Sequence, residues 1–135
     1  MRKEKLMKYM LLIYHEEGAI SDQERQHCYE ESTQLCHELQ SKGQFVSASP
    51  LHPTSMATSV RIRDDKRIVT DGAFAETREY LGGYFMVNAK DLDEAIAIAA
   101  RIPAARFGTV EVRPVIELTG LPEQSGAAEL VEQTA

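Results

Sequence analysis

The sequence predicts an α+β domain of the ferredoxin-like type, in which two helices cover one face of an antiparallel sheet. Strand-like apolar runs and two segments of helical periodicity follow in the order strand, helix, strand, hairpin, strand, helix, strand. A capping motif precedes each helical segment. At 135 residues, the chain has the length of one domain with a substantial core.

The first strand is predicted at residues 8–14, where KYMLLIY is an almost unbroken apolar run. Ser21 then caps a helix, and Glu24 completes a capping box with it. The apolar stripe of this helix has spacings of four, three and four: Cys28, Ser32, Leu35 and Leu39. Gly43 is predicted to end the helix in the left-handed conformation that glycine adopts easily.

A second strand is predicted at residues 45–51, since Pro53 cannot donate to a ladder. Residues 58–72, TSVRIRDDKRIVTDG, form a hairpin that turns at the two adjacent aspartates. The charged connection at residues 70–83 follows, and its last two glycines are expected to turn the backbone into the next strand. That strand is GYFMVNA, residues 83–89.

The second helix is predicted to begin at Asp91, with Glu94 completing another capping box. Its predicted apolar face consists of Leu92, Ala95, Ile96 and Ala99. A last strand at residues 109–118 alternates Val110 and Val112 with charged residues. The domain is therefore expected at residues 7–120, between a disordered extension at 1–6 and a flexible tail at 121–135.

Two of the strands are apolar on both sides, so the sheet face without helices also needs a cover. A homodimer whose sheets pack face to face is the simplest arrangement that provides one. The sequence therefore predicts a second copy of the chain as a partner.

Composition excludes several classes of function. A net charge of -6 argues against nucleic-acid binding, which needs a basic face. No apolar run approaches the roughly 20 residues that cross a membrane. Cys28 and Cys36 lie about 12 Å apart along a helix, too far for a disulfide. Free thiols predict a cytoplasmic protein, and neither cysteine has a partner at metal-ligand spacing, so no metal site is expected.

The motif DGAFAETRE at residues 71–79, followed by Gly82 and Gly83, resembles the signature of the DGPF branch of the YCII-related proteins. The similarity covers about residues 7–118. It implies a ferredoxin-like subunit that pairs into a dimeric α/β barrel. It also implies chemistry on small organic acids or aromatic breakdown products without metal or organic cofactor, and some members are associated with transcription initiation.

The sequence departs from this family at two positions. Ala73 replaces the proline of the signature, which loosens the turn because proline would preset φ. The other YCII branch has a helix histidine implicated in a His–Asp site, and the corresponding position here is near Ser32. The general base of that branch is therefore expected to be missing.

The charged connection supplies most of the candidate site residues. Asp71 is either a general base or the acceptor of an Asx turn. Glu76 is a candidate catalytic carboxylate and Arg78 a candidate ligand-binding group, or the two form a structural ion pair. Phe74 is a candidate ligand contact. A connection of about 13 residues in a compact domain is often functional.

Three more candidates lie on or after predicted strands. His15 follows the first strand and is either an acid–base group, since imidazole titrates near neutrality, or a solvated turn residue. Arg61 and Arg113 either bind a carboxylate inside the barrel or serve as exposed and cross-strand charges.

Two functions follow from these features. The first is an enzyme of lyase or isomerase type that acts on a small molecule beside the Asp71–Arg78 connection. The second is a non-catalytic homodimer that binds a small ligand or has a regulatory role. The absence of a nucleophile–base pair favours this second function.

Overall fold

The computed structural model describes residues 5–122. Its helices and strands are β1 (Met7–His15), α1 (Asp22–Ser41), β2 (Phe45–Pro50), β3 (Thr58–Arg63), β4 (Lys66–Asp71), β5 (Tyr80–Ala89), α2 (Leu92–Ala99) and β6 (Thr109–Pro114). Short 3₁₀ turns lie at Thr54–Met56 and Pro103–Arg106. Of the predicted extension and tail, residues 1–4 and 123–135 lie outside the described residues.

The main sheet has four strands in the order β2-β5-β1-β6, and every neighbouring pair is antiparallel. In β1, Leu11 lies opposite Phe85 of β5 on one side and Val112 of β6 on the other. With α1 and α2 between the strands, this is the βαββαβ order of a ferredoxin-like domain. The predicted fold class is confirmed.

The core lies between the helices and one face of this sheet. Every second residue of β1 and β5 is buried there, as the alternation of a strand requires: Tyr9, Leu11, Phe85, Val87 and Ala89. Leu35 and Leu39 of α1 and Ile98 of α2 pack against them. Burial of this apolar surface is the main favourable term in folding.

Both ends of α1 have the predicted local structure. The Ser21 hydroxyl accepts the backbone N–H of Glu24, and the Glu24 carboxylate accepts that of Ser21, each at 3.1 Å. Gly43 has a φ of 71°, in the region that favours glycine. The backbone N–H of Gln44 then donates to Leu39 at 2.8 Å and closes the last turn.

The predicted apolar face of α2 was partly wrong. Ala95, Ile98 and Ala99 are buried, whereas Leu92 and Ile96 are about half exposed. The helix has eight residues, and its contact with the sheet follows the spacing of three and four from Ala95. Leu92 and Ile96 lie on a neighbouring stripe that faces away from the core.

The second capping box was also only half right. The Asp91 carboxylate accepts the backbone N–H of Glu94 at 2.9 Å, as predicted. The Glu94 carboxylate does not return to Asp91: it accepts Lys90 N–H at 3.1 Å and the Gln44 side-chain amide at 2.7 Å. Tertiary contact with Gln44 therefore redirects this side chain.

The hairpin is confirmed, but β3 and β4 form a two-stranded sheet of their own. Asp64 and Asp65 have φ values of 50° and 61°, which is the conformation of a two-residue hairpin turn. The apolar side chains of the hairpin remain largely exposed: Val60, Ile62, Ile68 and Val69.

Candidate functional site

A cavity of about 550 Å³ lies between the first half of α1 and the helix-covered face of the sheet. It is at the end where β1 finishes and β5 begins. Its lining comes from five parts of the chain, within residues 13–20, 25–36, 48–53, 80–85 and 102–107. A concave, mostly apolar space of this size is typical of a small-molecule site.

His15 supplies an imidazole to this cavity. It follows Ile13 on the same side of β1 and is half-buried. Its ring meets Phe107 edge to face, with centroids 5.7 Å apart. Its Nδ1 lies 3.1 Å from the carbonyl oxygen of Glu16. The ring is therefore held from two sides.

A β-bulge in β5 makes room for this ring. Ile13 pairs with Gly83 and Tyr14 with Leu81, so Gly82 is the extra residue. A Cβ on Gly82 would lie 2.9 Å from His15 Cδ2 and closer still to Nε2. The imidazole can occupy its position because residue 82 has no side chain.

The predicted role of the two glycines as a turn into the strand was wrong. Both lie inside β5, which begins at Tyr80, three residues earlier than predicted. Gly83 packs against β2, where a Cβ would approach the carbonyl oxygen of Ser49 to 2.9 Å. Close approach of other groups, rather than backbone direction, explains these glycines.

Two side chains tie the segment after β1 to its neighbours. Glu16 accepts a hydrogen bond from Arg78 Nε at 2.5 Å, and Glu17 accepts the backbone N–H of Thr54 at 2.9 Å. The bonds from Thr54 lower the pKa of Glu17. The bond to Glu16 raises the pKa of Arg78. Both glutamates are among the cavity-lining residues.

The predicted structural pair of Glu76 with Arg78 was wrong. Arg78 reaches across 62 positions to Glu16 instead, because the start of β5 pairs with the end of β1. Within residues 5–122, Glu76 has no cation within 4.0 Å. The charged connection contacts cavity-lining residues through Arg78, which bonds to Glu16, and through the backbone N–H of Thr77, which donates to the Tyr80 hydroxyl at 3.3 Å.

The Asp71 side chain does not stabilise the turn that follows β4. In the described part of the chain its carboxylate has no hydrogen bond. The backbone N–H of Gly72 donates to Ala57 at 2.7 Å, and the Ser59 hydroxyl donates to the Gly72 carbonyl at 2.8 Å. The Asx turn is therefore replaced by contacts of Gly72.

Only one of the predicted site residues lines the cavity, and it is His15. The others lie elsewhere on the described surface: Asp71, Phe74, Glu76, Arg78, Arg61 and Arg113. Phe74 is 77% exposed, and Arg61 is on the hairpin. Arg113 lies opposite Met10 on the sheet face without helices.

Sequence analysis missed the contribution of α1. Four side chains of α1 line the cavity: Cys28, Tyr29, Ser32 and Cys36. The sequence predicts Cys28 and Ser32 on the apolar stripe of α1 and gives Cys28 a packing role, so it does not reveal their place in the cavity. Burial raises the pKa of both thiols. The signal was present, because a serine inside an apolar stripe breaks the pattern of a filled core. The resemblance places the histidine of the other branch near Ser32.

Residues 5–122 contain no group of three or more His, Cys, Asp or Glu side chains placed to hold a metal ion. They also contain no helix long and apolar enough to cross a membrane.

Comparison with known proteins gives two matches. The family model of the YCII-related domain matches residues 7–119. A protein of Rhizobium meliloti (strain 1021), described as uncharacterized, is 32% identical over 114 residues, which is 81% of this chain and 92% of that protein.

Proposed function

This chain belongs to the YCII-related domain family, and we propose that it binds a small aromatic molecule in the cavity and exchanges a proton with it at His15. The observation that supports this proposal is an imidazole held inside an apolar cavity of about 550 Å³. Histidine is the side chain most often used for proton transfer near neutral pH.

The surroundings of His15 suit such a role. If Nδ1 carries the proton, it donates to the Glu16 carbonyl, 3.1 Å away, and Nε2 is left with the lone pair. Nε2 lies beside Gly82, and its lone pair is what a general base needs. Proton removal and return at a carbon atom would fit the lyase or isomerase type implied by the family resemblance.

The cavity also indicates the ligand. Aromatic rings surround it, including Tyr29, Tyr80 and Phe107. Flat ligands are well held by stacked or edge-on rings. The connection at residues 72–79, which supplies most of the site residues predicted from the sequence, then supports the mouth of the cavity through the Arg78–Glu16 bond.

A ligand-binding protein without catalysis is the second candidate. His15 is hydrogen-bonded to a carbonyl rather than to a carboxylate, and a carboxylate partner is what usually orients a catalytic histidine. The two candidates share the cavity and differ in the role of the imidazole.

We also propose a homodimer formed through the sheet face without helices. The support is a group of half-buried side chains on the sheet face opposite α1 and α2: Met10, Leu12, Tyr14, Tyr84 and Met86. They are apolar or aromatic and lie next to one another in the register of β1 and β5. Packing two such faces together would form the dimeric α/β barrel.

The test uses N-phenylnaphthylamine, a neutral aromatic dye that fluoresces when it leaves water. Its emission should rise with the wild-type protein and rise less with Ser32→Phe, whose larger side chain takes up part of the cavity. Aromatic compounds that displace the dye are then incubated with wild type and His15→Gln and followed by NMR.

Turnover in wild type that is lost in His15→Gln, while dye binding persists, supports the enzyme. Binding of displacing compounds without turnover supports the second candidate. Equal dye emission in wild type and in folded Ser32→Phe would contradict a ligand site in this cavity.

A further inference from the structure

We infer that the cavity selects an uncharged aromatic ligand and rejects the corresponding organic anion. This inference rests on the proposed ligand site and narrows its ligand class. It differs from the expectation from the family resemblance that the ligand is a small organic acid. The inference is drawn from the charged side chains at the cavity.

Among residues 5–122, three charged side chains line the cavity: Glu16, Glu17 and Arg25. Two of them are already paired. Arg78 bonds to Glu16, and Arg25 NH1 lies 2.7 Å from the Asp22 carboxylate. Glu17 bonds to the backbone N–H of Thr54, which carries no charge. The net charge of the side chains at the cavity mouth is therefore negative.

Apart from the imidazoles of His15 and His52, the described lining offers an anion no cation in the interior. Arg25 is exposed at the start of α1 and has its own carboxylate partner. The other polar side chains of the described lining include hydroxyls, thiols and imidazoles, such as those of Ser32, Cys36 and His52. Burial raises the pKa of the Cys36 thiol, so it stays protonated at neutral pH.

An anion that enters this space must give up water without gaining an opposite charge. Burying an unpaired charge is far more costly than burying a neutral group of the same shape. The acidic mouth adds repulsion during approach, and the chain carries a net charge of -6. A neutral ring meets neither obstacle and keeps its contacts with the aromatic walls.

Two dyes of nearly the same shape test this inference: neutral N-phenylnaphthylamine and its sulfonate analogue, anilinonaphthalene sulfonate. Both are titrated at about pH 8, above the range in which imidazole normally titrates. Emission counts as cavity binding when it is reduced in Ser32→Phe, whose folding is checked by circular dichroism.

Wild type should bind the neutral dye in the cavity at least about tenfold more tightly than the sulfonate. Ser32→Arg places a cation in the cavity and should reverse or abolish that preference. Gln34→Arg is the matched control, because it adds the same charge to α1 at a residue that does not line this cavity. It should leave the preference unchanged.

The outcomes separate this inference from the proposed function. If neither dye gives emission that depends on the cavity, the proposed site fails. If both bind there and the sulfonate binds as tightly as the neutral dye, the site stands and the selectivity is overturned. If Ser32→Arg and Gln34→Arg change the preference between the two dyes equally, the selectivity of the cavity is also overturned, because the overall charge of the protein would then explain the change.

Discussion

Gly82 lies directly against the imidazole ring of His15. The contact arises because β5 contains one extra residue opposite the junction of Ile13 and Tyr14. The bulge and the missing side chain together leave space for the ring beside Phe107. Bulges frequently occur next to functional sites, where they redirect a side chain.

Gly82→Ala should displace the His15 ring with little effect on folding. The added methyl group meets the end of a side chain that can rotate away. Gly83→Ala should destabilise the protein by about 1–3 kcal/mol, because its methyl group meets the backbone of β2 at 2.9 Å from Ser49 O.

NMR of the imidazole and thermal unfolding would distinguish these two variants. We expect a changed His15 signal in Gly82→Ala and a lower melting temperature in Gly83→Ala. An unchanged imidazole signal in Gly82→Ala would contradict the described contact.

Arg78→Gln should loosen the connection at residues 72–79 without lowering the melting temperature measurably. The pair with Glu16 is exposed, and exposed ion pairs contribute little to stability. Its effect is to attach the connection to the cavity mouth. Hydrogen exchange of the backbone amides at 72–79 should therefore be faster in the variant.

Arg101→Gln is the control for this prediction, because Arg101 pairs with Glu38 on α1, away from the connection. It should leave exchange at 72–79 unchanged, and Arg78→Lys should restore part of the protection. Equal exchange in Arg78→Gln and wild type would show that the bond does not hold the segment.

Ile98→Ala should destabilise the protein by about 2–5 kcal/mol, the usual range for emptying a buried aliphatic site. Ile96→Ala should change stability by less than about 1 kcal/mol. Ile98 is 6% exposed and Ile96 is 49% exposed, although both belong to one short helix. Chemical denaturation measures both, and similar losses would mean that α2 packs differently.

Stability should fall in acid because hydrogen bonds and ion pairs lower the pKa of several carboxyls below the ordinary value of 4.5. The Glu31 carboxylate receives two bonds from Arg106, at 2.9 and 3.0 Å. A lowered pKa in the folded state means that the unfolded chain takes up the proton more readily. The stabilisation that comes from these lowered pKa values is therefore fully present above pH 4.5. It is lost as the pH falls through the pKa of the carboxyl in the folded state.

Thermal unfolding of Glu31→Gln and wild type across pH checks this prediction. The advantage of wild type should be present at about pH 7 and absent at about pH 3. Glu76→Gln, whose carboxylate has no ion pair in the described part of the chain, should show no such pH-dependent difference. The same advantage of wild type over Glu31→Gln at both pH values would contradict the role of the Arg106 bond.

Met86→Glu should convert the proposed dimer into a monomer. Met86 lies opposite Met10 in the middle of the sheet face opposite α1 and α2, and burying an unpaired carboxylate there between two sheets is costly. Ile96→Glu places the same charge on α2, outside that face, and is the control. Light scattering should give the mass of two chains for wild type and the control, and of one chain for Met86→Glu. A wild-type mass of one chain would refute the dimer.

Local rules explain how much of the fold could be predicted. The capping box of Ser21 and Glu24, the left-handed Gly43 and the aspartate turn of the hairpin each depend on residues close together in the chain. The alternating burial of β1 and β5 follows from the period of a strand. These features can be predicted because the spacing of residues along the chain determines them.

The candidate site depends on distant residues and was predicted only at His15. Arg78 bonds to Glu16 rather than to nearby Glu76, and Glu94 bonds to Gln44, because sheet and helix packing bring them together. The sequence by itself determined the elements, their order and the histidine at the end of β1. The tertiary structure alone decided that Gly82 makes room for that histidine and that α1 completes the cavity, because both require the register between strands far apart in the chain.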